Sequence, residues 1–183
     1  MKLVLCVGGS IAAYKACDLA SKLVQAGHHV DVVMTEAAER FVRPLAFAAL
    51  THQPVFTQGQ WFEGAGSGRG PADHLRVSEE ADLLVVAPCT ANLLGKFAHG
   101  IADEIVSTTF LGATAPVLVA PAMNHRMWAA PRVQANVETL RGDGVHFVGP
   151  EAGYLAEGDR GPGRLTEPEG IVAAIERLAD GSD

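Results

Sequence analysis

The chain has 183 residues, 48% of them hydrophobic, and a formal net charge of -7. The apolar fraction excludes a disordered chain, and the acidic balance argues against a general nucleic-acid binder. No window reaches the roughly 18–20 consecutive apolar residues that span a bilayer, so no membrane segment is expected.

Leu3 to Val7 is an unbroken apolar run that reads as a first strand. It breaks at Gly8-Gly9 and leads into a helical pattern carrying Lys15 and Asp18, so it is read as a buried strand and not an export signal. Ile11 to Ala26 is the first helix, with a small-to-apolar face of Ala12, Ala13, Ala16, Leu19, Ala20 and Leu23. Gly27 ends it, and His29 to Met34 is the second strand. The turn GGSIAA fails the GxGxxG dinucleotide fingerprint. It survives as an anion site: Gly9 permits close approach, Ser10 brings a hydroxyl, and the helix start brings unpaired N–H groups. A capped helix end facing solvent is the alternative. Thr35 either caps a helix over Glu36 to Phe41 or touches a ligand, or does both. Pro44 to Ala49 is a short apolar element of open type, and Thr51 to Pro54 is a turn.

Residues 57–73 are rich in Gly, Ser and Pro and form a long loop, with Trp61 and Phe62 as anchors. His74 comes after this loop and, on its own, reads as a surface residue. Asp82 to Ala87 (DLLVVA) and the run APVLVAP ending at Pro121 read as strands buried on both faces of a parallel sheet. The residues between them suffice for a crossover. A helix runs from Thr90 through Phe97, and Asp103 starts another that Gly112 stops. Arg132 to Leu140 is a further helix set off by Pro131, and Gly144 to Val148 an edge strand. Residues 149–167 are read as a second long loop, either a surface connection or a lid. Pro168 to Leu178 is the closing helix. Open parallel sheets bind ligands beyond the carboxyl ends of their strands. That directs attention to Thr90, Asn92, Met123, Asn124 and Trp128. Cys6, Cys17 and Cys89 form no CxxC pair, and no spacing suggests a metal site; a reducing, cytoplasmic setting is expected. No second domain is seen, so residues 1–183 are read as one domain.

These motifs together resemble the homo-oligomeric flavin-containing cysteine decarboxylases. The strongest is PAMNHRMW, Pro121 to Trp128, which matches PxMNxxMW. With it come GGSIAAYK, the isolated His74, APCTANLLGKFAHGIADEIVSTTFL, and GYLAEGDRGPGRL, which resembles a substrate clamp. The resemblance implies a three-layer αβα, Rossmann-like (flavodoxin-like) fold, with FMN as cofactor. It implies a phosphate site at Gly9, Ser10 and Ile11, and flavin contacts at Thr35, Thr90, Ser107, Ala122 and Met123. His74 becomes the catalytic histidine and Asn124 the group that holds the substrate carboxylate. Met127, Trp128, Leu155, Glu157 and Arg164 fall at substrate-binding positions. Trimers, or dodecamers of trimers, are implied as well.

The implied chemistry is oxidation of a cysteine thiol to a thioaldehyde, whose C=S group accepts the electrons released as CO₂ leaves. His74 would manage a proton. The family's coenzyme A enzyme has Ala-Cys-Gly in the clamp, and that cysteine helps to reduce the enethiol product. This chain has Ala156-Glu157-Gly158. The missing thiol ranks oxidative decarboxylation of a C-terminal peptidyl cysteine first and phosphopantothenoylcysteine decarboxylation second.

Overall fold

The computed structural model describes residues 1–59, 79–156 and 158–181. Successive side chains of a strand point to opposite faces, and here both faces are covered. On β1 (Lys2–Val7), Leu3, Leu5 and Val7 join one core cluster, while Val4 and Cys6 join the other. The same division holds for Leu83, Val85 and Ala87 against Leu84 and Val86 on β4 (Leu83–Cys89). Strands buried twice over leave no polar alternation, which is why the runs read as continuous.

The sheet has order β3-β2-β1-β4-β5-β6 and every pairing is parallel, with β2 at His29–Met34, β3 at Val55–Thr57, β5 at Val117–Pro121 and β6 at His146–Phe147. This is the doubly wound Rossmann order; without the three-residue edge strand β3, the other five take the flavodoxin order. The chain direction across the sheet reverses between β1 and β4, which pair in register from Leu3 with Leu83 to Cys6 with Val86. One helical layer holds α1 (Ala13–Gln25), α3 (Pro44–Thr51) and α8 (Pro168–Ala179). The opposite layer holds α4 (Ala91–Ala98), α5 (Ile105–Leu111) and α7 (Pro131–Gly142). Two single-turn helices, α2 (Glu36–Glu39) and α6 (His125–Trp128), sit directly after β2 and β5. The three-layer αβα expectation holds.

Several boundaries differ from the sequence reading. Helix α1 begins at Ala13, because Ser10 to Ala12 form a turn closed by Ala13 N–H to the Ser10 carbonyl at 2.9 Å. Residues 44–51 are a helix with Pro44 at its first position, ended by His52 in the left-handed region at φ 56°. Helix α5 starts after Glu104 and not at Asp103, since the Glu104 carboxylate accepts from Val106 and Ser107 N–H at 3.2 and 2.7 Å.

The largest correction concerns residues 149–167. They are no plain loop: β7 (Glu151–Tyr154) and β8 (Arg160–Arg164) form an antiparallel hairpin. Their sequences, EAGY and RGPGR, lack the β-branched residues that signal strands. Glycine instead lets the hairpin sit hard against the turn after β5. A Cβ on Gly161 would lie 2.7 Å from His125 Cβ, and one on Gly163 would lie 2.2 Å from the Met123 carbonyl oxygen.

Candidate active site

The carboxyl ends of β1, β2, β4 and β5 open into one cavity of about 1200 Å³. A polar residue stands just beyond each strand, and its side-chain oxygen caps the turn or helix that comes next. Ser10 Oγ accepts from Ala12 N–H at 3.2 Å, Thr35 Oγ1 from Ala38 N–H at 3.0 Å, Thr90 Oγ1 from Leu93 N–H at 3.3 Å, and Asn124 Oδ1 from Arg126 N–H at 2.8 Å. All four also line the cavity. For Thr35, cap and cavity wall are therefore the same group.

The floor is glycine backbone. Gly8 N–H donates to the Pro88 carbonyl at 3.0 Å, tying the first turn to the end of β4. A Cβ on Gly8 would lie 2.5 Å from that oxygen, and one on Gly9 would lie 2.4 Å from Ala37 Cβ. Only glycine fits at either position. The N–H groups of Gly9 and Ile11 have no acceptor among the described residues. They lie in the turn that leads into α1, where unpaired backbone amides can meet an anion.

Ala122, Met123, Asn124 and Met127 form the β5 side of the cavity. Met123 N–H donates to the Gly163 carbonyl at 2.9 Å, so the hairpin closes directly on this turn. Leu155 and Arg164 reach the cavity from the hairpin. Ser107 lies off the cavity wall; its buried hydroxyl donates to the Glu104 carbonyl at 3.0 Å, and Glu104 lines the cavity. Trp128 packs against the core cluster beneath α4 and α7 and is not among the lining residues. His74 and Glu157, together with Trp61 and Phe62, lie outside the described residues.

Of the positive charges on the wall, the sequence reading named only Arg164, through the family resemblance, and missed the other three. Lys15, Arg40, Lys96 and Arg164 all face the cavity, and each has a carboxylate partner: Glu167 at 2.8 Å, Glu36 at 3.6 Å, Asp103 at 2.5 Å and Glu151 at 3.0 Å. The hydrogen bond from Lys96 holds the Asp103 carboxyl below its ordinary range. Lys15 could have been found: it stands in the first turn of α1, just past the glycine turn. Burial pushes the Cys6 and Cys89 thiols up, so neither is a ready nucleophile. Among the described residues no cluster of three His, Cys, Asp or Glu could hold a metal, and no helix is long and apolar enough to cross a membrane.

The fold is shared with known proteins. A family model described as Flavoprotein matches residues 1–180. The chain is 50% identical over 177 residues to the coenzyme A biosynthesis bifunctional protein CoaBC of Bacillus subtilis (strain 168), covering 96% of this chain and 42% of that protein. It therefore spans less than half the length of the curated relatives it matches. A PPC decarboxylase mutant complexed with pantothenoylaminoethenethiol superposes with a TM-score of 0.87 at 29% identity, covering 98% of both chains. The FMN-dependent cysteine decarboxylase TvaF from thioviridamide biosynthesis gives 0.77 at 34% identity, covering 82% of this chain and 90% of that one. The chain belongs to the flavoprotein family of homo-oligomeric flavin-containing cysteine decarboxylases.

Proposed function

We propose that this chain is an FMN-dependent decarboxylase of phosphopantothenoylcysteine. The observation that carries the reading is 50% identity across 96% of the chain to a coenzyme A biosynthesis protein. This reverses the ranking drawn from Glu157. One acidic residue in a clamp triplet weighs less than identity spread over 177 residues. Oxidative decarboxylation of a C-terminal peptidyl cysteine is the second reading, and the missing clamp thiol still favours it.

The residues present fit FMN. Glycine at positions 8 and 9 lets the turn pack tightly against Pro88 and Ala37, and Gly9 and Ile11, whose amides have no acceptor among the described residues, line the cavity. Gly9, Ser10 and Ile11 would hold the phosphate, and Thr35, Thr90, Ala122 and Met123 would flank the ring system. Ser107 would support the site through Glu104, whose carbonyl it already engages. When bound, the flavin supplies a two-electron acceptor for the thiol, which makes loss of the carboxylate feasible.

The chain's own residues do the rest. Asn124 Oδ1 is occupied by the Arg126 N–H, which leaves the amide NH₂ as a donor for the substrate carboxylate. A neutral donor binds the carboxylate without fixing its charge, so release as CO₂ is not opposed. Met127 and Leu155 supply apolar wall. His74 would move the proton at the thiol-bearing carbon. We further infer a homo-oligomer, trimer or dodecamer, working in the reducing cytoplasm that the unpaired Cys6, Cys17 and Cys89 suit. Incubation with phosphopantothenoylcysteine and with cysteine-ending peptides, read by mass, tests the assignment. Turnover of peptides alone would overturn it.

A further inference from the structure

Arg164 reaches the cavity from the hairpin, and it is one of four charged groups that meet there, with Glu151, Glu167 and Lys15. Its Nη2 lies 3.0 Å from Glu151 Oε2 and 3.5 Å from Glu167 Oε1. Glu167 in turn accepts from the Lys15 ammonium through both oxygens, at 2.8 and 2.9 Å, across 152 positions of sequence. The Lys15 side chain is only 15% exposed. The guanidinium lies along Gly153, where a Cβ would fall 3.1 Å from Nε and 3.4 Å from Cζ. Arg164 Nε is buried with no partner among the described residues.

The connectivity gives this chain of charges its meaning. Lys15 belongs to α1, the helix that begins just past the Gly8-Gly9-Ser10 turn. Arg164 and Glu151 belong to the hairpin. Glu167 stands at the N-cap position of α8, yet its side chain makes no capping bond there. Its carboxylate is thus committed to the bridge and not to its own helix. Lys15 and Arg164 share Glu167, and with Glu151 the two cations and two carboxylates balance, so a ligand would be held by the guanidinium's remaining donors and not by surplus charge. A guanidinium has five N–H donors, and two flanking acceptors leave others for a ligand.

We propose that Glu167 is a positioning residue. By bridging Lys15 and Arg164 it fixes the hairpin over the cavity and holds the Arg164 guanidinium for an anionic group of the substrate. The substrate's identity rests on the decarboxylase reading; the bridge does not. A pre-oriented cation binds without first losing its rotamer freedom, so the advantage falls on substrate binding.

The test uses the full-length, flavin-loaded protein. In Glu167→Gln and in Lys15→Met alike, amide exchange across the hairpin, including Leu155 N–H on the Asp159 carbonyl, should rise about five- to tenfold, while β4 amides stay as they were. Glu167→Asp, with the same charge on a shorter stem, should recover part of the loss. With phosphopantothenoylcysteine, Glu167→Gln should raise KM about five- to tenfold and lower kcat by less than about twofold. Pantothenoylcysteine separates the two possible anions. An equal KM rise on it identifies the carboxylate, and a rise confined to the phosphorylated substrate identifies the phosphate. If Glu167→Gln does not fold, Lys15→Met reads the same bridge. Unchanged hairpin exchange in the variants overturns the proposal, as does a loosened hairpin with unchanged KM on both substrates. A loosened hairpin in a protein whose wild type turns over neither substrate supports the bridge and sinks the decarboxylase reading instead.

Discussion

Replacing Gly163 by alanine should lift the hairpin off the turn that carries Asn124. The new Cβ would fall 2.2 Å from the Met123 carbonyl oxygen, 3.2 Å from His125 N and 3.3 Å from the Asn124 carbonyl carbon. All three are backbone atoms, so no side chain can swing aside. Ordinary carbon–oxygen contact needs about 1 Å more than the shortest of these allows. A retreat of that size stretches the Met123 N–H to Gly163 carbonyl bond, 2.9 Å in the native fold, beyond useful length. The lost bond costs about 1 kcal/mol, and overpacking about 1–3 kcal/mol. The hairpin can relieve part of this by moving, so a net loss of about 2 kcal/mol is expected, or about 4–8 °C in Tm. Arg164 moves with its neighbour, so kcat/KM should fall at least about tenfold. Urea denaturation and steady-state kinetics measure both. Gly142→Ala is the control: it ends α7 with nothing within 4 Å of its Cβ. It should be neutral or stabilising by up to about 1 kcal/mol. A Gly163→Ala protein as stable as the control, with wild-type kcat/KM, would refute the packing argument.

Gly9→Ala drives a Cβ to 2.4 Å from Ala37 Cβ. It should weaken FMN retention at least about tenfold with little change in far-UV circular dichroism; full flavin content after gel filtration would count against the phosphate cradle. Asn124→Asp keeps the acceptor that caps α6, so stability should stay within about 1 kcal/mol. Loss of the NH₂ donor and a like charge facing the carboxylate should cut kcat/KM about tenfold or more, and an unchanged value would remove Asn124 from carboxylate binding. Burial raises the pKa of the Cys6 and Cys89 thiols and so disfavours the thiolate. A disulfide reagent at pH 8 should therefore react with Cys17 at most in the native protein and with all three cysteines after denaturation; fast native reaction at a second thiol contradicts the buried placement.

The strands and the site were legible to different degrees, and for physical reasons. β1, β2, β4 and β5 announce themselves because burial on both faces leaves them almost no polar residue. Ser10, Thr35, Thr90 and Asn124 were legible because a capping residue at a strand's end also faces the cavity. The hairpin was not legible. Its strands are built mostly from Gly, Pro and charged residues, and they are placed by glycine backbone packing on the His125 side chain at Gly161 and on backbone at Gly163. The start of α5 was misplaced because Asp103 and Glu104 are equally good caps on paper; Asp103 is occupied with Lys96 and leaves the role to Glu104. The bridge from Lys15 to Glu167 joins residues 152 positions apart, which no local pattern encodes. Arg164 was named only through family resemblance, and the carboxylates that hold it were not foreseen.

In the proposed reaction this cavity decarboxylates the cysteine end of phosphopantothenoylcysteine. The most direct test is the mass of the product formed by the flavin-loaded protein. Phosphopantothenoylcysteine and cysteine-ending peptides are offered side by side. Loss of CO₂ from the phosphorylated substrate is the predicted result: about 44 Da where the reduced flavin returns its electrons to the product, and about 46 Da where, without a clamp thiol, it does not. No reaction on that substrate, with loss of about 46 Da from a peptide, would contradict it and restore the peptidyl reading that Glu157 suggested.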